Sequence, residues 1–245
     1  MPEGDTIHRA ARTLQQALAG KVVTRFETVL PKLEKHALAG RTIDRVHAVG
    51  KHLFIEFSGG IALHTHMRMN GEWHIYRSGE RWMRPRGDMR IVIETADWVA
   101  VAFNVPVADF ERPDVGPDLL ADDFDANEAF RRLRTLAGEE IANALLDQRA
   151  VAGIGNIWKS ETLFACRVHP FVRVATLDDA KLAEILATAR KLLRRSVARS
   201  DRNVWQVYSR GNQPCRRCGT RIVMKKQGDD ARVTYWCPTC QPAPA

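Results

Sequence analysis

The chain reads as an α+β protein: a two-sheet β-sandwich with one helix at its front, then a helical domain, then a β-hairpin pinned by four cysteines. Three observations carry this. Short apolar or alternating runs recur between residues 21 and 103, the hydrophobic period turns helical after residue 118, and four of the five cysteines fall in the last 31 residues as two CxxC pairs.

Each element follows in order. Ile7, Ala11, Leu14 and Leu18 recur at helical spacing, Asp5 is placed to cap the helix and Gly20 to end it. The runs VVTRFETV, TIDRVHAV, HLFIEF, IALHTHM, EWHIY, MRIVIET and WVAVAF follow, most of them separated by Gly, Asn, Ser or Asp. Strands this short each cover one face of a shared core, which favours a sandwich or barrel over residues 1–110. Residues 111–124, with two prolines and a glycine in ERPDVGPD, read as a linker. Segments 125–137, 139–147, 157–166 and 178–199 are rich in Ala, Leu, Arg and Glu and make a helical domain over 125–200. Within 201–245, RIVMKK and RVTYW form a hairpin between the cysteine pairs, and the QPAPA tail is expected to be mobile.

The composition excludes several classes. At 245 residues with 45% hydrophobic content, the chain buries a core without disulfides, so a small stapled scaffold is ruled out. A mean hydropathy of -0.29 and no apolar run near the roughly 18 residues a bilayer requires predict a soluble protein without a membrane partner. The polar start MPEGDTIHR lacks the layout of a secretory signal, which predicts a cytoplasmic location. The net charge of +8 is concentrated: 14 Lys or Arg stand against four acids between Lys181 and Arg232, so the rest is about -2. A polyphosphate partner fits such a face, because neutralised phosphates release counterions; a solvated helix surface is the plainer reading.

Cys215, Cys218, Cys237 and Cys240, with 18 residues between the pairs, have zinc-ribbon spacing. Four thiolates close a tetrahedral shell around one Zn2+ and leave no position for water, so the metal is structural; redox pairs are the competing reading. Cys166, in LFACRV, reads as a small buried hydrophobe.

Pro2 follows the initiator Met. If Met1 is trimmed, the imino nitrogen becomes an α-amine titrating near about 7.7–8.0, able to attack an aldehyde-level carbon and form a cationic iminium. Glu3 is adjacent and can move protons. A proline at position two is common, and alone it carries no weight.

In company it does. PEGDTIHRA, VGKHLFIEF, VGPDLL, LLDQRAVAGIGNIWKSE, YSRGNQPCRRCG and RVTYWCPTCQ together resemble, in order and across nearly the whole chain, the formamidopyrimidine-DNA glycosylase and endonuclease VIII superfamily of DNA repair enzymes. The resemblance implies a helix-two-turns-helix domain for 125–200 and a bifunctional glycosylase and abasic-site lyase of base excision repair. Pro2 would attack the sugar C1′ and hold it as a Schiff base before β/δ-elimination, with Glu3 as acid/base partner and Lys51, in the GKHLF strand, donating a proton or contacting phosphate. Asn156 and the Gly153–Gly155 turn would grip a phosphate, Arg232 would clamp phosphates flanking the lesion, and Lys159 and Arg210 would join the DNA contacts.

A damaged nucleotide reaches Pro2 only by leaving the stack, and something must fill the vacancy. In the resemblance this falls to HMRMNGEW, with Met69 as wedge between Arg68 and Asn70; core packing is the rival role for the methionine. The chain has AFNVPVADF where the formamidopyrimidine branch carries an arginine-phenylalanine pair, and with PEGDTIHR, VGPDLL and YWCPTCQ this favours a diverged member of the endonuclease VIII branch acting on oxidised pyrimidines. The expected partner is damaged double-stranded DNA, met by a monomer in a bacterial nucleoid. Oxidised-purine preference, or a zinc-ribbon damage-binding protein without catalysis, are the other readings.

Overall fold

The computed structural model describes residues 2–34, 36–199 and 204–243. Met1, whose removal decides whether the Pro2 nitrogen is exposed, lies outside the described residues, as do the last two residues of the QPAPA tail. The chain divides into two compact units, Met1–Asp114 and Val115–Ala245.

In the first unit, helix α1 (Gly4–Leu18) is followed by β1 (Arg25–Thr28), a single turn α2 (Pro31–Glu34), β2 (Ile43–Val49), β3 (His52–Phe57), β4 (Ile61–His66), β5 (Glu72–Arg77), β6 (Met89–Glu94), β7 (Trp98–Phe103) and β8 (Val107–Asp109). Two antiparallel four-stranded sheets result, ordered β1-β6-β7-β5 and β2-β3-β4-β8. All seven expected strands form. The short α2 and β8 were not anticipated, because a four-residue turn and a three-residue strand show too few periods to be seen in sequence.

Alternation explains the layering. Leu53, Ile55, Phe57 and Leu63 of one sheet and Ile91, Ile93, Ala100 and Ala102 of the other enclose the main core, which takes in Ile7, Ala11, Leu14 and Leu18 of α1. Opposite residues of the second sheet, Tyr76, Val92, Val99, Val101 and Phe103, form a smaller cluster on its outer face, covered in part by Trp82. The start of α1 differs from expectation: Glu3 occupies the N-cap position, whereas Asp5 lies inside the first turn and pairs with Arg9 at 3.3 Å, one turn on. After the helix ends at Leu18, Gly20 adopts φ +76, the left-handed conformation that glycine takes without strain.

The second unit packs α3 (Ala126–Thr135), α4 (Ile141–Ala144), α5 (Asn156–Ala165) and α6 (Asp179–Ala198) around Leu133, Leu145, Ile154, Leu163, Ile185 and Leu193. Residues 115–120, part of the stretch read as a linker, are packed rather than free: Leu119 is fully buried, and a side chain at Gly116 would meet the Arg149 carbonyl at 2.3 Å. The hairpin of β9 (Val223–Gln227) and β10 (Arg232–Trp236) carries the cysteine pairs at its base.

A buried carboxylate ties the segment before the ribbon to α5. Glu161 accepts hydrogen bonds from the backbone N–H groups of Gln206 (2.9 Å), Val207 (2.9 Å) and Tyr208 (2.9 Å). Removing it strands those donors in a buried place, so Glu161→Ala should lower the unit's stability by about 2–4 kcal/mol. Denaturant unfolding checks this; a midpoint within error of the parent would show that water replaces the carboxylate at no cost.

Candidate active site and zinc ribbon

Pro2 stands just ahead of α1, whose buried stripe fixes the helix in the sandwich, and it lines a cavity of about 1050 Å³. Thr6 and Ala10, one and two turns along α1, line the same cavity, as do residues 67–73. Glu3 is 1% exposed, and its carbonyl accepts from the N–H groups of Thr6 and Ile7, which anchors the residue beside Pro2.

The turn after β4 brings Arg68, Met69 and Asn70 to the cavity wall. Met67 and Met69 divide the two roles open to a methionine here: Met67 is 3% exposed in the core, and Met69 is 58% exposed. Core packing is therefore Met67's part. The turn is tight, with Gly71 N–H donating to the Met67 carbonyl at 2.8 Å, and a Cβ at Gly71 would meet that oxygen at 2.6 Å. Arg68 is held at φ 48, a conformation that costs a non-glycine residue about 1 kcal/mol, and its N–H donates to His66 Nδ1 at 3.1 Å.

Lys51 lies in the two-residue turn between β2 and β3, not in a strand as expected, because Gly50 at φ 58 reverses the chain there. It is not among the residues lining the cavity. It leads instead into a cluster the sequence analysis overlooked. His52 and His66 are opposite one another in register, their rings 4.8 Å apart, and His52 Nδ1 meets His64 Nε2 at 2.6 Å. Burial first, then the neighbouring charges, pushes His52 down to about 3 and His66 down to about 4. The spacing H-x-H in IALHTHM puts both side chains on one face of a strand, which was the available signal. Glu72, Arg84, Arg90, Asn104 and Pro106 also line the cavity and had no sequence pattern to reveal them.

In the second unit, the Gln148 side chain staples the turns between α4 and α5, donating to the Leu146 and Ile154 carbonyls and accepting from Gly153 N–H at 3.1 Å. Several expected DNA contacts are engaged inside the protein. Lys159 is fully buried and its Nζ donates to Thr234 Oγ1 at 2.7 Å, so it is a structural bridge to the hairpin and does not face a ligand. Asn156 is 6% exposed and its Nδ2 donates to the Val233 carbonyl at 2.9 Å, tying α5 to β10, while its buried Oδ1 has no partner among the described residues. Arg210 spends its Nε on Gln213, Nη1 on the Gln206 carbonyl and Nη2 on the Pro214 carbonyl, closing its own loop. Arg232 alone of the four stays open, more than a third exposed, with Asp230 at 3.3 Å from its Nε.

The four cysteine sulfurs lie within 4.8 Å of one another. Cys215 and Cys240 are 4.0 Å apart, and Cys218 and Cys237 are 3.4 Å apart. A tetrahedral zinc with bonds of about 2.3 Å separates its sulfurs by about 3.8 Å, so the donor set fits the metal in chemistry and size. Cys166 is buried, and burial pushes its thiol up, as suits a packing residue.

A sandwich with a proline at the mouth of its cavity, a helix-two-turns-helix unit and a four-thiolate ribbon define a zinc-ribbon, helix-two-turns-helix class of protein. Comparison narrows the class to a family. The formamidopyrimidine-DNA glycosylase N-terminal domain matches residues 1–106, its H2TH domain matches 115–206, and the zinc finger found in FPG and IleRS matches 212–243. The chain is 41% identical over 264 residues to a probable endonuclease 8 2 of Streptomyces coelicolor, covering 100% of this chain and 95% of the relative. It is 38% identical to the DNA-(apurinic or apyrimidinic site) lyase Nei2 of Mycolicibacterium smegmatis, covering 99% and 100%, and 29% identical to endonuclease 8 of Escherichia coli, covering 98% and 100%. A Lactococcus lactis Fpg structure with abasic-site DNA superposes with a TM-score of 0.84 at 23% identity, covering 99% of this chain and 100% of that one. The chain belongs to the formamidopyrimidine-DNA glycosylase and endonuclease VIII family, and its four cysteines hold a structural zinc.

Chelation should release one zinc per chain and speed amide exchange through β9 and β10; exchange that stays at the parent rate would show that the hairpin is held without metal. The histidine cluster is held below the ordinary 6.5, so protons bind the unfolded chain more readily; its contribution is complete above about pH 6.5 and is lost as pH falls toward 4 and then 3. His52→Gln with His66→Gln should flatten the fall in melting temperature between pH 6.5 and 4, and an unchanged slope would assign that acid sensitivity elsewhere.

Proposed function

We propose that this protein is a bifunctional DNA glycosylase and abasic-site lyase of base excision repair, with Pro2 as nucleophile and oxidised pyrimidines as its preferred lesions. The observation that carries the reading is the placement of Pro2 at a cavity also lined by an exposed Met69 between Arg68 and Asn70. The names of the relatives, endonuclease 8 and Nei2 lyase, support the chemistry and the endonuclease VIII branch.

The Pro2 nitrogen forms a bond to C1′ as the bond from C1′ to the damaged base breaks, and the base leaves with its electron pair and a proton. Glu3, buried beside Pro2, protonates the ring oxygen as the sugar opens, giving an iminium between Pro2 and C1′. That cation draws electrons from the C2′–H bond; the proton leaves to a base and the C3′–O bond breaks, cutting the strand. A second elimination releases the 5′ phosphate, and water hydrolyses the iminium. Lys51, in the turn beside His52, donates a proton or contacts phosphate in this reading.

Met69 fills the vacated stack, flanked by Arg68 and Asn70. The sandwich carries catalysis; the helical segment 125–200 and the ribbon segment 201–245 grip the duplex, with Arg232 as the phosphate clamp. The protein acts as a monomer on damaged double-stranded DNA in the bacterial cytoplasm, associated with the nucleoid. Among the described residues no helix is long and apolar enough to cross a membrane.

Borohydride reduction of the protein on an abasic duplex should yield a covalent adduct that Pro2→Gly abolishes; if the adduct forms equally without Pro2, the nucleophile is elsewhere, and if the parent forms none, the protein is a damage binder. Excision of thymine glycol faster than 8-oxoguanine is expected, and the reverse order would assign purine preference. Arg232→Ala should weaken duplex binding at least tenfold, the loss of one charge-assisted contact worth about 1.5–3 kcal/mol, and near-parent affinity would refute the clamp.

A further inference from the structure

The loop between β5 and β6, residues 78–88, has no part in the chemistry above, yet its composition is unusual for a solvent loop. Arg81, Arg84 and Arg86 surround Met83, which at 78% is more exposed than Met69 at 58%. A singly exposed apolar residue needs no explanation. Here two exposed methionines are each set beside arginines, and Arg84 lines both the cavity that holds Pro2 and Met69 and a second cavity of about 650 Å³ that contains Met83, Arg81 and Arg86 together with Glu27, Glu80 and Glu94, Glu27 lying 3.7 Å from Arg86.

This loop is built to hold its shape. The Trp82 ring meets Phe103 edge-on at 5.7 Å, fastening the loop to the outer cluster of its sheet, and the Arg86 guanidinium lies over Trp82 at 5.7 Å. Met83 N–H donates to the Tyr76 hydroxyl at 3.2 Å, and that oxygen meets His74 Nδ1 at 2.9 Å. Arg84 Nε binds the carboxylate of Glu72, the residue that follows Gly71 at the end of the Met69 turn. One ion pair thus joins the two methionine loops. Arg90, by contrast, spends Nη1 on the Gly87 and Met89 carbonyls, whereas neither Nη of Arg84 bonds to another described residue.

We infer that loop 78–88 is a clamp for the complementary strand of a duplex substrate, with arginines on its phosphates and Met83 against the base left without a partner; this rests on the reading of Pro2 given above. Opening a duplex to deliver one nucleotide creates two needs. The vacated stack must be filled, which Met69 does, and the orphaned base and its strand must be held. A guanidinium fork matches phosphate oxygens, and a polarizable thioether packs on any aromatic face without reading its edge. An exposed methionine with Arg81, Arg84 and Arg86 close in sequence, in a loop tied to the Met69 turn, meets the second need.

The test compares the parent with R81A/M83A/R86A on one abasic oligonucleotide, single-stranded and in duplex. The expected result is a rise of tenfold or more in KM on the duplex with kcat retained, no change on the single strand, and a log–log salt slope for duplex binding shallower by about two, one unit for each arginine removed. Equal losses on both substrates would put the loop on the lesion strand, and an unchanged duplex KM would overturn the clamp outright. Duplex affinity measured by fluorescence anisotropy with Pro2→Gly, with and without the three loop substitutions, separates the two readings. A tenfold loss there supports the clamp whatever the chemistry at Pro2; no loss there ends it.

Discussion

Burial of one stripe of α1 is the constraint on which the candidate site depends. Ile7, Ala11, Leu14 and Leu18 are sealed in the sandwich core, so the helix can neither slide nor roll without exposing them. The short segment ahead of the helix, Pro2 and Glu3, is therefore delivered to one place on the sandwich. Gln15 strengthens the hold by accepting the Val46 N–H at 2.5 Å, beside the irregularity in register between β2 and β3. A nucleophile on a frayed end would lose the orientation that makes attack effectively intramolecular. Glu3 at the N-cap shows the same economy, since one residue closes the helix and places a buried carboxylate next to Pro2.

In the second unit the corresponding constraint is a chain of buried polar groups. Lys159 donates to Thr234, Thr234 to Gln227, and Gln227 to Glu140 and the Pro170 carbonyl, so α5, both hairpin strands and the entry to α4 are linked through side chains. Gln241 adds a further tie, accepting from Cys237 N–H and donating to the Val168 carbonyl. Zinc closes the base of the ribbon and this network orients its body. Ligand geometry alone would leave the hairpin free to swing, because a metal fixes the four sulfurs and not the strands beyond them.

The sequence disclosed what is periodic or local and missed what depends on a distant partner. Seven strands, the main helices and the cysteine site were legible because their signals lie within a few residues of one another. The bond from Lys159 to Thr234 spans 75 residues of chain, so nothing near Lys159 in the sequence announces it. The bond from Asn156 to the Val233 carbonyl is equally remote, 77 residues along the chain. Asp5 looked like a cap because capping residues and first-turn acids share a composition, and only the backbone at Glu3 separates them. The pairing of Glu72 with Arg84 crosses a loop and has no spacing rule to announce it.

Electrostatics at the first unit's cavity follow one pattern. Two of the cations lining it, Arg68 and Arg84, and Lys51 beside the histidine cluster are accompanied by groups that keep added positive charge away. His52 and His66 are neutral beside Lys51 and Arg68, since burial and those cations together disfavour protonation, and Arg84 is matched by Glu72. Neutral imidazoles suit a half-buried sheet face: they accept a hydrogen bond, as His66 does from Arg68 N–H, without adding charge. Carboxylates in their place would neutralise the cations that a phosphate chain needs, and apolar rings would leave the Arg68 N–H without its acceptor. The pattern satisfies the backbone of a strained turn and leaves the cavity's positive potential intact, which accounts for histidine at these positions in terms the strand alternation alone does not supply.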